Sequence, residues 1–211
     1  MKSMKQILRM WAFAVVAATA LLGGPAQAAP TVYIDPATQD IAVGQQTSVD
    51  IVVSGLTQPG DAVGGFGLIL NFDDTILKGL GFVIDPGSVM GNGLDLSYGF
   101  DNGSLDLFYV ADENNDQGAL AAAQGASFVL ATVSFEGLVN GLSPVSFTRG
   151  SVFLSNWDGT ETIPGVGTQN GEICVGGNCS TVPEPASMVL VGSALGALAL
   201  LRRRRSGSPA A

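Results

Sequence analysis

Asp73 and Asp74 stand side by side in "NFDDTIL". Two carboxylates placed across a glycosidic bond can divide acid and base duties in its hydrolysis. Adjacent residues of an extended chain project to opposite faces, which separates such a pair. The preferred reading is a turn in which their side-chain oxygens accept from backbone N–H groups. A denser set of oxygen donors occurs in "ADENNDQG", residues 111–118. Asp112, Asn114 and Asp116 have the spacing of positions 1, 3 and 5 in a loop that wraps a hard cation, with Glu113 between them. The pattern then breaks, because Gln117 stands where that loop needs glycine and Ala123 where it needs a bidentate glutamate. Asp112, Glu113, Asn114 and Asp116 are thus candidate ligands for a looser calcium site, the alternative being a solvated loop whose Asp116 caps a short helix.

Trp157, in "SNWDGTE", is a candidate ligand-binding residue, since a flat ring packs on the apolar face of a sugar. The alternative is a half-buried loop anchor. Tyr98 and Tyr109 fall in alternating segments and read as sheet-face residues. The chain has no histidine, which removes Ser-His and Cys-His nucleophile systems and histidine-bearing zinc sites. Cys174 and Cys179 bracket "VGGN". Four intervening residues are too many for a CxxC redox pair, and two further ligands for a cysteine zinc site are missing. The two are expected to form a disulfide that staples a hairpin in an oxidising compartment. No catalytic residue and no obligatory cofactor is assigned.

The elements that hold these residues read as β almost throughout. Thr31 to Asp35 is extended and halted by Pro36. Val49, Ile51 and Val53 alternate with Asp50 and Val52, and Phe66, Leu68, Leu70 and Phe72 with Gly67, Ile69 and Asn71. Residues 80–84 follow. Leu94, Leu96, Tyr98 and Phe100 lead through "DNG", a hairpin signal, into Leu105, Leu107 and Tyr109. "QGALAAAQG", residues 117–125, is the one expected helix. Beyond it Val129, Ala131, Val133 and Phe135 face one way and Phe128 and Leu130 the other, which suits an interior strand. Residues 145–147, 151–154 and 171–175 close the domain. About nine strands with glycine-rich turns and no helical crossovers predict an all-β, antiparallel sandwich.

The chain's ends differ from its middle. Lys2, Lys5 and Arg9 precede an apolar run from Trp11 to Leu22, and Ala26-Gln27-Ala28 supplies an A-x-A cleavage site. That order is a secretory signal peptide over residues 1–28, cut after Ala28. Residues 186–201 carry no charge, and as a helix they would span about 24 Å, marginal for a hydrocarbon core of about 30 Å. Arg202, Arg203, Arg204 and Arg205 stay cytoplasmic by the positive-inside rule, so the middle of the chain is exported. Residues 206–211 read as a disordered tail. Between the ends, residues 29–181 hold one domain in which Lys78 and Arg149 face seventeen of the chain's eighteen acids. Nucleic-acid binding, which needs a basic footprint, is excluded. Neutral glycans, basic proteins and divalent cations remain as partners.

Pro183-Glu184-Pro185, the apolar run and the arginine cluster together resemble the PEP-CTERM sorting signal over residues 182–205. The resemblance implies recognition of the tripeptide by an exosortase, a membrane protease that removes the tail. It also implies transient residence in the inner membrane, release to the cell surface or matrix, and association with extracellular polysaccharide production. "AVGQQTSVDIVVSGL", "VGGFGLILNFDDTILK" and "DQGALAAAQGASFVLATVSFEG" are similar to segments of the cohesin-like family, a jelly-roll sandwich. That likeness implies contact with surface proteins or glycans through a sheet face. The expected function is a non-enzymatic exported protein with an adhesive sandwich. The alternatives are a polysaccharide-binding module, calcium-assisted or not, and more remotely a carboxylate-only glycoside hydrolase.

Overall fold

Thirteen strands and one helix make up the domain seen in a computed structural model, which describes residues 29–177 other than Gln58, together with Cys179. The signal-peptide and tail expectations, including Ala26, Ala28, Pro183, Glu184, Pro185 and Arg202 to Arg205, lie outside the described residues. Among the described residues no helix is long and apolar enough to cross a membrane.

The strands are β1 (Thr31–Asp35), β2 (Thr38–Ile41), β3 (Gln46–Ser54), β4 (Val63–Asn71), β5 (Leu77–Ile84), β6 (Gly93–Asp95) and β7 (Gly99–Asp101). They continue as β8 (Ser104–Ala111), β9 (Ser127–Gly137), β10 (Gly141–Phe147), β11 (Phe153–Asn156), β12 (Gly167–Gln169) and β13 (Gly171–Val175), with helix α1 (Gln117–Gln124) between β8 and β9. The smaller sheet has the order β12-β1-β3-β9-β5, and the larger β2-β13-β10-β4-β8-β6, with β11 beside β4 and β7 beside β8. The all-β sandwich with one short helix is therefore present.

Its strand count and pairing differ from the expectation in two respects. The additional strands are three or four residues long, too short for an alternating pattern to register. Two pairings are parallel, β1 with β12 and β2 with β13. Pro36 does not end the extended chain but marks its crossing between sheets: β1 pairs with β3 in one, and β2 resumes beside β13 in the other.

The core fills the space between the sheets with period-2 side chains. Val49, Ile51 and Val53 of β3 and Val133 and Phe135 of β9 meet Phe66, Leu68 and Leu70 of β4 and Leu105 and Leu107 of β8, all buried. Truncating one of the large ones to alanine removes about 3–5 kcal/mol. β9 corrects the two-faced reading of its apolar residues. A bulge sets Ile51 against Ala131 and Val52 against Val129, leaving Leu130 as the extra residue that reverses the alternation. Leu130 and Ala131 are consequently both buried. The strand is interior, as expected, with β3 and β5 on its two sides. At one end of the sandwich Phe72, Phe82, Phe100 and Phe135 pack edge-on, with centroids 5.2–6.4 Å apart. Gly79 makes room for Phe100: a Cβ there would lie 2.3 Å from the ring.

Candidate functional site

The residues suited to chemistry are spent on local structure. Asp73 accepts from the backbone N–H and the hydroxyl of Thr75, while Asp74 turns to a shallow cleft of about 220 Å³ that Phe72, Lys78, Phe100 and Asp101 also line. The two carboxylates therefore do not act on one point. In the acidic loop, Asp112 accepts from the backbone and side-chain N–H of Asn114, both at 2.8 Å. Asp116 is the N-cap of α1, accepting from Ala119 N at 2.7 Å. Among the described residues no three acidic or cysteine side chains gather at one place.

The residue in this loop that binds the fold together is Asn115, which carried no assignment from sequence. It is buried, donates to the carbonyls of Asn92 at 2.9 Å and Trp157 at 3.3 Å, and accepts from Asn92 N. Trp157 itself is half-buried in the loop after β11. Its carbonyl closes over Gly64, where a Cβ would lie 2.4 Å away. Cys174 and Cys179 are joined by a disulfide with Cα atoms 5.6 Å apart.

Three partly exposed aspartates share one geometry, a carboxylate accepting from the residue two positions on. The Thr75 hydroxyl and N–H hold Asp73 below the usual carboxylate range, the Asn114 N–H groups do the same for Asp112, and the Thr160 hydroxyl and N–H for Asp158. A depressed folded pKa contributes stability that is present above the unfolded value, about 3.9 for Asp, and is lost as pH falls through the folded value. Mutual repulsion among seventeen acids works the other way and relaxes as they protonate near their ordinary values. Melting curves taken downward from pH 7 in low salt are thus expected to show Tm rising toward pH ~4 and falling below it. A Tm that climbs without a maximum to pH ~2 would contradict this use of the three carboxylates.

The outer face of the larger sheet holds what sequence reading missed. Leu94 lies opposite Val110 across β6 and β8, and the same register continues to Leu96 beside Phe108, whose carbonyl accepts from Leu96 N at 2.8 Å. Phe108 is opposite Gly67 on β4, and Gly67 is opposite Phe153 on β11. A Cβ at Gly67 would come within 3.0 Å of both rings, so glycine lets Phe108 and Phe153 converge, centroids 5.8 Å apart. Leu94 is 60% exposed, and Leu96, Val110 and Phe153 are exposed as well. Side chains directly opposite on neighbouring strands share a face, so these five form one apolar stripe across four strands.

Tyr98 also departs from its expected place. The segment read as one strand breaks into β6 and β7, because β8 pairs with them in registers one residue apart. Ser97 fills the break, its hydroxyl accepting from Phe108 N at 3.0 Å. Tyr98 falls in that break and is 91% exposed. Tyr109, by contrast, turns inward and stacks at 6.5 Å on Phe66. Burial, then the charges of Asp85 and Asp95, raise its pKa.

The sandwich overlays a type II cohesin domain from the cellulosome of Acetivibrio cellulolyticus with a TM-score of 0.56 at 18% identity, covering 69% of this chain and 95% of that one. It overlays the cohesin CaCohA2 of Clostridium acetobutylicum with a TM-score of 0.54 at 14% identity, covering 72% and 94%. The sixth cohesin of Acetivibrio cellulolyticus scaffoldin B, determined in complex with a Cel5 dockerin, gives 0.53 at 18% identity, covering 70% and 99%. The domain has a cohesin-like fold. Residues 181–205 match the family model for the PEP-CTERM protein-sorting motif. The chain is thus an exported protein, addressed to the cell envelope, that carries a cohesin-like sandwich. No curated protein matches it.

Proposed function

We propose that this chain is a non-enzymatic surface protein whose sandwich docks a partner protein on the outer face of the larger sheet. The observation that supports this reading is the stripe Leu94, Leu96, Phe108, Val110 and Phe153. Five apolar side chains on one solvent-facing sheet surface, supported by a glycine that holds two rings together, suit a protein partner more than solvent. Cohesins similar in fold occur in complexes with dockerins. The partner here is expected to present an apolar surface with a basic rim, because Asp106 lies on the same face and the domain is strongly acidic.

Delivery follows from the tail. The precursor is held in the inner membrane by residues 186–201, arginines inside, until an exosortase cuts near Pro183-Glu184-Pro185. The domain then reaches the surface or matrix. Mass spectrometry of the exported protein is expected to find its C-terminus at or near these residues. A chain recovered from the membrane fraction with its arginine tail intact would refute the processing.

Docking is tested by placing a photo-crosslinking residue at Leu96 and, as control, at Val83, an exposed position on β5 of the other sheet. Crosslinking on intact producing cells should give a discrete protein adduct from position 96 and none from 83. Equal labelling from both, or from neither, overturns the reading. A second reading, polysaccharide binding, is favoured by the exposed ring of Tyr98 at the edge of the stripe. Retention on the cells' own exopolysaccharide, with calcium added or chelated, that disappears in Tyr98→Ala would favour it.

A further inference from the structure

The described chain ends at a particular place. Cys179 is tied to Cys174 on β13, and its sulfur lies 3.1 Å from the carbonyl oxygen of Gly141, the first residue of β10. Around that point three loops are linked by backbone hydrogen bonds. Gly44 N donates to Gly137 O and Gly176 N to Ile41 O, both at 2.7 Å, and Gln45 O accepts from Gly137 N at 3.0 Å. The loops between β2 and β3, between β9 and β10, and after β13 therefore form one end of the sandwich.

This end is apolar where loops are usually polar. Val43, Leu138, Val139 and Leu142, all at this end, are between 40% and 54% exposed. None of them belongs to the outer-face stripe. Asp40, Asp73, Asp74 and Asp101 lie at the same end with one cation, Lys78, and leave its remainder net acidic.

Six residues separate Cys179 from Ala186, where the uncharged run begins. Whatever their conformation, they leave Ala186 at most about 25 Å from Cys179. Headgroups on one side of a bilayer occupy roughly 6–7 Å beyond the hydrocarbon core. A domain tethered this closely must hold the end bearing Cys179 toward the membrane. We infer that Val43, Leu138, Val139 and Leu142 form a membrane-seating surface, which rests the precursor on the outer leaflet of the bilayer that holds its tail. The inference rests on the tail reading proposed above.

Four partly exposed apolar side chains bind lipid weakly on their own. A short tether makes the second contact intramolecular, at millimolar effective concentration, so a weak surface is enough. The acids at this end favour neutral over anionic lipid, since like charges repel at the headgroup surface. Seating also fixes what points away. β4 runs from Val63 near Trp157 to Asn71, which pairs with Ser146 of β10, and β10 runs back to Gly141. At about 3.3 Å per residue, that puts Trp157 roughly 35 Å along the sandwich from Leu142. Once the tail is cut, the tether is gone and the seating weakens with it.

Trp157 is the only tryptophan after residue 28, so it serves as a built-in reporter at the far end. The full chain, freed of residues 1–28 and reconstituted in phosphatidylcholine vesicles, is compared with the same chain in brominated phosphatidylcholine, a short-range quencher. Trp157 emission should be unchanged. In Trp157→Phe/Val139→Trp the emission should fall by about two-fold, with Trp157→Phe/Val43→Trp as an independent second variant. Membrane-bound chain in which neither position 139 nor 43 is quenched overturns the seating and leaves the tail reading standing. Chain that stays in the supernatant overturns both. Quenching of Trp157 to the same extent as position 139 overturns the orientation on which the inference depends.

Discussion

Gln124→Leu is expected to lower the stability of the domain by about 3 kcal/mol, although leucine is apolar, similar in size and a good helix former. Gln124 ends α1 and is almost completely buried. Its amide oxygen accepts from Val63 N at 2.9 Å, and its amide nitrogen donates to the carbonyls of Val63 and, at 3.1 Å, Val89. One side chain thus ties the helix to the first residue of β4 and to the loop after β5. Leucine would leave the buried N–H and carbonyl of Val63 without these partners, as well as the part-buried carbonyl of Val89, and each buried orphan costs about 1–3 kcal/mol. For a domain of this size the loss corresponds to a Tm drop of roughly 10 °C. Gln117→Leu is the control: its amide donates to Pro59 O at 3.0 Å from an exposed position, and water replaces that bond at a cost under about 1 kcal/mol. Urea unfolding of the two variants decides the matter. Equal midpoints would mean that the buried amide does not hold α1 to the sheet.

Phe153→Asp is expected to weaken docking of the crosslinked partner by about 100-fold while the domain stays folded. The ring closes the β11 end of the stripe, over Gly67 and against Phe108. It is partly exposed, so removing it creates no core cavity. A carboxylate there would have to be desolvated on binding, and it would add to the negative charge that Asp106 already gives this face. The comparison is Val83→Asp on β5, which adds the same charge to the other sheet and should leave docking unchanged. Binding measured by surface plasmon resonance with the partner immobilised, together with a Tm for each variant, separates the outcomes. Equal losses from the two substitutions would point to net charge rather than to the stripe. No loss from Phe153→Asp would remove the stripe from the interface.

The helix and most of the longer strands could be read directly. Asp116 before an alanine-rich run is an N-cap signal, and the cap is present. β3, β4, β8 and β9 have runs of alternating apolar residues long enough to register. β2, β6, β7 and β12 were less legible, since three or four residues cannot show a period and their pairing is decided by distant strands. The oxygen-rich loop gave a misleading emphasis. Its spacing drew attention to Asp112, Glu113, Asn114 and Asp116, whereas Asn115 is the residue that joins it to Asn92 and Trp157. Nothing local distinguishes Asn115 from Asn114, because its partners lie 23 and 42 residues away.

By itself the sequence determined the properties that depend on residue type and order. These are an acidic domain without histidine, two ends patterned for export and sorting, a single helix and a β-rich middle. Each follows from charge, hydrophobicity or a short motif, none of which needs long-range pairing. The tertiary structure decided which apolar residues stay uncovered. Alternation separates the two faces of a strand, but only the neighbouring strands and the opposite sheet determine which face is buried. That is why Leu94, Leu96 and Tyr98, read as members of one strand, come to be an exposed pair and a lone exposed ring. It is also why Val43, Leu138, Val139 and Leu142, scattered over a hundred residues of chain, meet at the end of the sandwich from which the sorting tail leaves.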